Sequence, residues 1–257
     1  MDLAASLVLL AALVAIASAR ALLARRQQYA RVERDAVFFP AAVQTPLYWV
    51  LQRPARWLVD LRVSPNAITI ASLVPCVGAA FALARGHLGI GASLLCLGFA
   101  GDALDGLVAR AGKRASAGGA LIDSTADRVS EALAFGGIAC FFRQSEALLA
   151  LTLAAGAAAQ LVSYVSAKVD AHPEAVVPRG MMRRSERAAL LVSGAALSSL
   201  AETITKSSFG DAPLVIALGV IAVVAFPSAT HRLFVLVRSV DRRDRESPHL
   251  DPPRPER

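Results

Sequence analysis

Seven stretches of this chain, at 3–23, 68–86, 89–109, 118–141, 146–167, 187–205 and 212–236, are apolar over about the length that crosses a bilayer as a helix. Backbone groups in lipid have no water to bond, so a spanning element must be a helix or belong to a closed barrel. These runs lack the period-two alternation of barrel strands, which leaves helices. The expectation is therefore all-α, a polytopic membrane helix bundle with a contiguous six-helix core and one extra N-terminal transmembrane helix. With 55% hydrophobic residues among 257 and a mean hydropathy of +0.51, an ordinary soluble domain is excluded.

Orientation follows from the 27 basic residues, because Lys and Arg of short loops stay on the cytoplasmic side. Eight lie between Arg20 and Arg62, three between Arg110 and Arg114, five between Lys168 and Arg187, and seven from Arg232 onward. The alternate loops hold only Arg85, Arg143 and Lys206. This asymmetry predicts an inner-membrane protein with its N-terminus outside and its C-terminus in the cytoplasm. The net charge of +7 then reports topology and contact with anionic headgroups, and no nucleic acid partner is expected. Residues 1–23 read as an uncleaved anchor. Ala17-Ser18-Ala19 resembles a signal cleavage site, but no Lys or Arg precedes the apolar run and five Arg, from Arg20 to Arg34, follow that site.

Three segments follow. Residues 1–40 form an anchor helix and basic linker, 41–238 a membrane domain, and 239–257 a charged, proline-rich tail expected to be disordered. Within the membrane domain, 45–62 mixes Tyr48, Trp49 and Trp57 with Arg53 and Arg56, the composition of a helix lying at headgroup level. Ser64-Pro65-Asn66 reads as a helix start, and Pro227 as a kink in the last helix. Cys76, Cys96 and Cys140 are single and apolar in context, and the four His are scattered, so neither set is assigned chemistry.

Four carboxylates interrupt this apolar pattern. Asp102 and Asp105 lie near the end of the third stretch, Asp123 and Asp127 near the start of the fourth. Each would cost about 2.5 to 3.5 kcal/mol unpaired within the bilayer, so four without compensation are implausible. Helical spacing puts Asp102, Asp105, Gly106 and Ala109 on one face, and Gly119, Asp123 and Asp127 on one face of the next helix. Antiparallel neighbours joined by a short loop bring these faces together. Hard oxygen ligands in that number suit Mg2+ or Mn2+, one ion or a pair, completed by substrate phosphate. Arg110 adds a guanidinium beside them. Proton or ion transport, or pairing of the acids with Arg128, is the other reading of intramembrane carboxylates.

The full string, Asp102-x2-Asp105-Gly106-x2-Ala109-Arg110-x8-Gly119-x3-Asp123-x3-Asp127, resembles the motif of the CDP-alcohol phosphatidyltransferase family at all its fixed positions. The likeness extends over about 45–237, including Pro65-Asn66-x2-Thr69. It implies a homodimer with a polar cavity open to the cytoplasm. Asp102, Asp105 and Asp123 would bind metal, Asp127 would act as general base and also touch metal, and Thr69, Gly106, Ala109 and Arg110 would hold the CDP moiety. The reaction implied is transfer of a phosphatidyl group from a CDP-lipid, CDP-diacylglycerol foremost, to an alcohol acceptor with release of CMP.

Basic residues at 178–187 favour a phosphorylated acceptor, although the same charge also serves topology. Arg184-Ser185-Glu186-Arg187, with Ser163-Tyr164 upstream, is similar to phosphatidylinositol phosphate synthases within the family. Ser163, Lys168, Arg184 and Arg187 are thus the acceptor-binding candidates, with only part of the family's upstream basic set present. The alternatives are a phosphatidylglycerol phosphate synthase-like enzyme, an ion-coupled transporter, and a non-catalytic relative that binds lipid nucleotide.

Overall fold

Serine begins three of the helices for one reason. Ser64, Ser116 and Ser145 sit in extended backbone, and their hydroxyls accept from the N–H of Ala67, Gly119 and Leu148, at 3.2, 3.0 and 3.5 Å. This satisfies first-turn donors that a helix leaves unbonded. Pro65 follows at the first helical position, where its missing N–H costs nothing.

The computed structural model describes residues 1–23, 41–178, 180–205 and 210–246. They form eight helices: α1 (Asp2–Leu23), α2 (Ala41–Asp60), α3 (Pro65–Ala84), α4 (Leu88–Ala111), α5 (Ala117–Phe141), α6 (Glu146–Asp170), α7 (Arg184–Thr205) and α8 (Ala212–Glu246). There is no strand among the described residues. The basic linker at 24–40, Lys206, and the tail from 247 lie outside them.

Helix pairing closes a ring of six, in the order α3, α4, α7, α8, α6, α5 and back to α3. Its interior is built from Leu83, Leu95, Ile138, Leu191, Leu218 and Ile221 among many alanines. Val74, Phe81, Leu97, Leu153, Val223 and Phe226 face outward, as a lipid-facing surface requires. Among the described residues α3, α4, α6 and α8 are long and apolar enough to cross a membrane by themselves. α5 and α7 carry the charged residues that meet at the site, Asp123, Asp127 and Glu131 on one and Arg184 and Arg187 on the other.

Small residues let these helices approach closely, the usual basis of helix association in lipid. At Gly137 of α5 a Cβ would stand 2.6 Å from the Ala80 carbonyl oxygen of α3. At Gly98 of α4 it would stand 2.3 Å from Cys76 Sγ.

α1 does more than anchor. It packs on α4 and α7, and Asp2 Oδ1 accepts from the Ile90 N–H at 2.8 Å. That carboxylate caps α4, whose own N-cap residue His87 makes no side-chain cap. α2 lies along α4, with Ala55 buried and Trp57 65% exposed, consistent with the expected amphipathic helix. The expected disorder from residue 239 is corrected for its first part. α8 continues as one helix past Pro227 to Glu246, and Arg243 pairs with Glu174 at 3.0 Å across to the α6–α7 loop.

Candidate active site

The acids meet where α4 and α5 face each other. Asp102, Asp123 and Asp127 each present an oxygen within 4.8 Å of the others. Such a trio of like charges is held together by cations among them or by a shared proton. Asp127 Oδ1 is buried, and the cation it meets there is the Arg184 guanidinium. Hard oxygen donors at this spacing fit a divalent ion of the Mg2+ or Mn2+ type.

Asp105 is arranged differently. It is 4% exposed, and the Thr69 hydroxyl, itself buried, donates to its Oδ2 at 2.5 Å. Thr69, implied to hold the CDP moiety, thus spends its hydrogen on orienting Asp105. Thr69→Val keeps the volume and leaves that oxygen unbonded, at an expected cost of about 1–3 kcal/mol. A lower thermal midpoint, restored by Thr69→Ser, is the check.

Gly106 and Arg110 form one unit. A Cβ at Gly106 would stand 3.1 Å from Arg110 Nη1, so the guanidinium lies back over the glycine one turn earlier on α4. Ala109 is half-buried and Arg110 exposed at the lip. Gly119 serves a close approach of α3, since a Cβ there would come within 3.3 Å of Asn66 Oδ1.

A cation reaches the acids from α7. Arg184 Nη1 donates to Asp102 Oδ2 at 2.5 Å and pairs with Asp127, while Nη2 donates to Ser130 at 3.3 Å. Its guanidinium also stands 5.7 Å from the Phe99 ring centroid. Pairing of the aspartates with Arg128 is corrected: Arg128 donates to the Ser124 hydroxyl at 2.5 Å and to the Ser163 carbonyl at 3.3 Å.

Beside the acids lies a cavity of about 400 Å3, into which Arg128, Arg183, Arg184 and Arg232 project with Ser124, Ser166 and Asp170. Asp127 and Arg184 line it too, so the cavity and the acid cluster share a wall. Of the four acceptor candidates, Ser163, Arg184 and Arg187 belong to this lining. Arg187 reaches its edge but is 1% exposed, with Nε and Nη2 on Glu131 at 2.6 and 3.0 Å, Nη1 on the Met182 carbonyl and Nη2 on Ser163. Four of its five N–H bonds are committed, which leaves little for a ligand. Lys168 is absent from the lining; its ammonium sits 5.5 Å over the Tyr164 ring one turn earlier on α6.

Arg232, counted from sequence with the basic C-terminal region, is a residue that pattern alone misses. It projects from α8 to the Ser166 hydroxyl at 2.8 Å, and passes so near Gly180 that a Cβ there would stand 2.4 Å from its Cδ. The one available signal was Gly180 itself, a small residue in a basic loop.

A family model described as CDP-alcohol phosphatidyltransferase matches residues 62–236. A phosphatidylinositol phosphate synthase of Corynebacterium glutamicum is 32% identical over 160 residues, 60% of this chain and 73% of that protein. Among solved structures, Mycobacterium tuberculosis phosphatidylinositol phosphate synthase with CDP-DAG bound aligns with a TM-score of 0.63 at 25% identity, over 74% of this chain and 95% of that one. The same protein in complex with manganese and citrate aligns equally well, at 0.63 and 25%. The matched segment runs from the residues before α3 into α8 and takes in the ring, the four aspartates and the arginine-lined cavity. This chain is a member of the CDP-alcohol phosphatidyltransferase family, a metal-binding membrane transferase of phospholipid synthesis.

Proposed function

We propose that this transferase moves a phosphatidyl group from a CDP-lipid of the CDP-diacylglycerol type to a phosphorylated polyol, inositol phosphate foremost. The observation that carries the reading is the shared wall between the acid cluster and the arginine-lined cavity. A cavity with Arg128, Arg183, Arg184 and Arg232 at its surface has far more positive charge than a neutral polyol needs. A phosphomonoester would neutralise it, with bidentate guanidinium contacts. The similarity to phosphatidylinositol phosphate synthases supports the same acceptor.

In this reading Asp102, Asp123 and Asp127 hold the metal, with Asp105 alongside, and the metal supplies charge neutralisation to the pyrophosphate of the donor. Arg110, lying over Gly106 at the lip, grips donor phosphate oxygens. Ser124, Ser163, Ser166 and Asp170 meet the hydroxyls of the polyol, and the arginines meet its phosphate. Asp127 accepts the proton of the attacking hydroxyl as that oxygen bonds to the β-phosphorus of the CDP-lipid. The bond from this phosphorus to the bridging oxygen of CMP breaks, and CMP leaves. The domain boundaries follow, with α1 an addition to a core from α2 to α8. The basic loops support a cavity open to the cytoplasm, and the family resemblance supports a homodimer.

CMP release by the purified chain, with CDP-diacylglycerol and Mg2+, separates the acceptors when inositol phosphate, glycerol phosphate, inositol and serine are offered singly. Inositol phosphate is expected to exceed inositol by at least about a hundredfold, because a site built around one charged group rejects a partner lacking it. Release with glycerol phosphate alone would select the phosphatidylglycerol phosphate synthase-like reading. Equal release with inositol or serine would overturn the phosphorylated acceptor.

A further inference from the structure

The best-buried charged pair in the described chain is not among the motif's aspartates. Glu131 stands one helical turn beyond Asp127 on α5 and is 5% exposed, and it receives Arg187 in a two-pronged contact at 2.6 and 3.0 Å. No step of the reaction needs it, and it does not line the cavity. A buried ion pair is also a poor way to gain stability, since well-packed apolar residues often replace one without loss. Its geometry suggests another use.

Arg187 carries the contact onward. Its Nη1 donates to the Met182 carbonyl at 2.5 Å, and Met182 is fully buried with φ +60°, a left-handed conformation that a methionine rarely adopts. Neighbouring bonds hold the same turn. Ser228 of α8 accepts from the Met181 N–H and donates to its carbonyl, both at 3.0 Å, and Glu186 accepts from the Arg183 N–H at 2.9 Å. The next residue is Arg184, the first of α7, which reaches Asp102 and Asp127. Asp127 and Glu131 therefore stand on the same helix, and the chain returns from Glu131 through Arg187 and the Met182 turn to the guanidinium on Asp127.

We propose that Glu131 is a positioning residue for the acceptor: through Arg187 it sets the turn at Met182 and so holds Arg183 and Arg184 in register with Asp102 and Asp127. The inference rests on the reading of the arginine-lined cavity as the acceptor site. Arg187, a lining residue whose N–H groups are mostly committed within the protein, then acts through the turn, and the two guanidiniums that it aims make the contacts with acceptor phosphate.

The test uses the full chain in lipid nanodiscs, with initial rates of CMP release in Mg2+, titrating inositol phosphate at saturating CDP-diacylglycerol and CDP-diacylglycerol at saturating inositol phosphate. The double variant Glu131→Leu/Arg187→Met removes both charges together and so avoids an orphaned buried ion. Its thermal midpoint is expected within a few degrees of the parent. The acceptor KM is expected to rise by about tenfold or more, while the CDP-diacylglycerol KM stays within about twofold and kcat falls less than the acceptor KM rises. Glu131→Gln, of the same shape, should show the same split at smaller size, and Glu131→Asp should recover part of it. If the double variant does not fold, the split in Glu131→Gln decides by the same criterion.

Arg184→Ala and Arg232→Ala are measured alongside. An unchanged acceptor KM in the Glu131 variants, with a raised one in Arg184→Ala, overturns the positioning role and leaves the acceptor reading standing. Equal rises in both KM values also overturn it, because a general loosening would move both. No change of acceptor KM in either Arg184→Ala or Arg232→Ala overturns the acceptor reading itself.

Discussion

Asp127→Asn is expected to lower acceptor-dependent CMP release by about a thousandfold, within the range that a positioned general base contributes. The amide keeps the shape of the carboxylate and cannot take up the proton of the attacking hydroxyl. It also removes one negative charge from three oxygens gathered within 4.8 Å. Relief of like-charge repulsion is set against the loss of one partner of Arg184, which keeps Asp102 at 2.5 Å. The thermal midpoint of the variant should therefore stay close to that of the parent, separating a chemical loss from unfolding. Wild-type rates in a variant of undiminished stability would remove Asp127 from the reaction.

Gly137→Leu is expected to damage the fold severely. A Cβ at this position meets backbone atoms of Ala80, the oxygen at 2.6 Å and Cα at 2.8 Å, and backbone cannot turn aside as a flexible side chain can. Overpacking typically costs about 1–3 kcal/mol, and the full leucine should exceed that range. α5 would be forced from α3, separating Asp127 from the helix whose Thr69 holds Asp105. Gly136 is the control, because a Cβ there meets nothing within 4 Å. Gly136→Ala should be neutral or stabilise by about 0.5–1 kcal/mol, while Gly137→Leu lowers the thermal midpoint and CMP release together. Equal behaviour of the two variants would contradict the close approach of α3 and α5.

Much of this was legible in the chain because local rules govern it. Apolar length marked α3, α4, α6 and α8 as helices able to cross a bilayer, and Ser64-Pro65 marked the start of α3 because capping depends on near neighbours. The face shared by Asp102 and Asp105, and that shared by Asp123 and Asp127, followed from helical spacing. Arg184 was also within reach of sequence, through the string Arg184-Ser185-Glu186-Arg187. That string did not divide the labour between its two arginines. One enters the acid cluster and the other is buried against Glu131, a division that depends on which acid of α4 and α5 stands opposite each guanidinium.

By itself, the sequence determined the membrane class and the helical architecture, which rest on period and length along one chain, and its motif carried the resemblance that implied the family chemistry. Tertiary structure alone decided which charges face one another. It drew Arg232 from α8 into the cavity, left Lys168 on the Tyr164 ring, and gave Arg187 to Glu131. It also extended α8 beyond the expected start of the tail and made Asp2 the cap of α4. Arginine in a loop or at a helix end serves topology, packing and ligand binding with the same composition. Its use depends on distances between helices far apart in sequence, which no local pattern encodes.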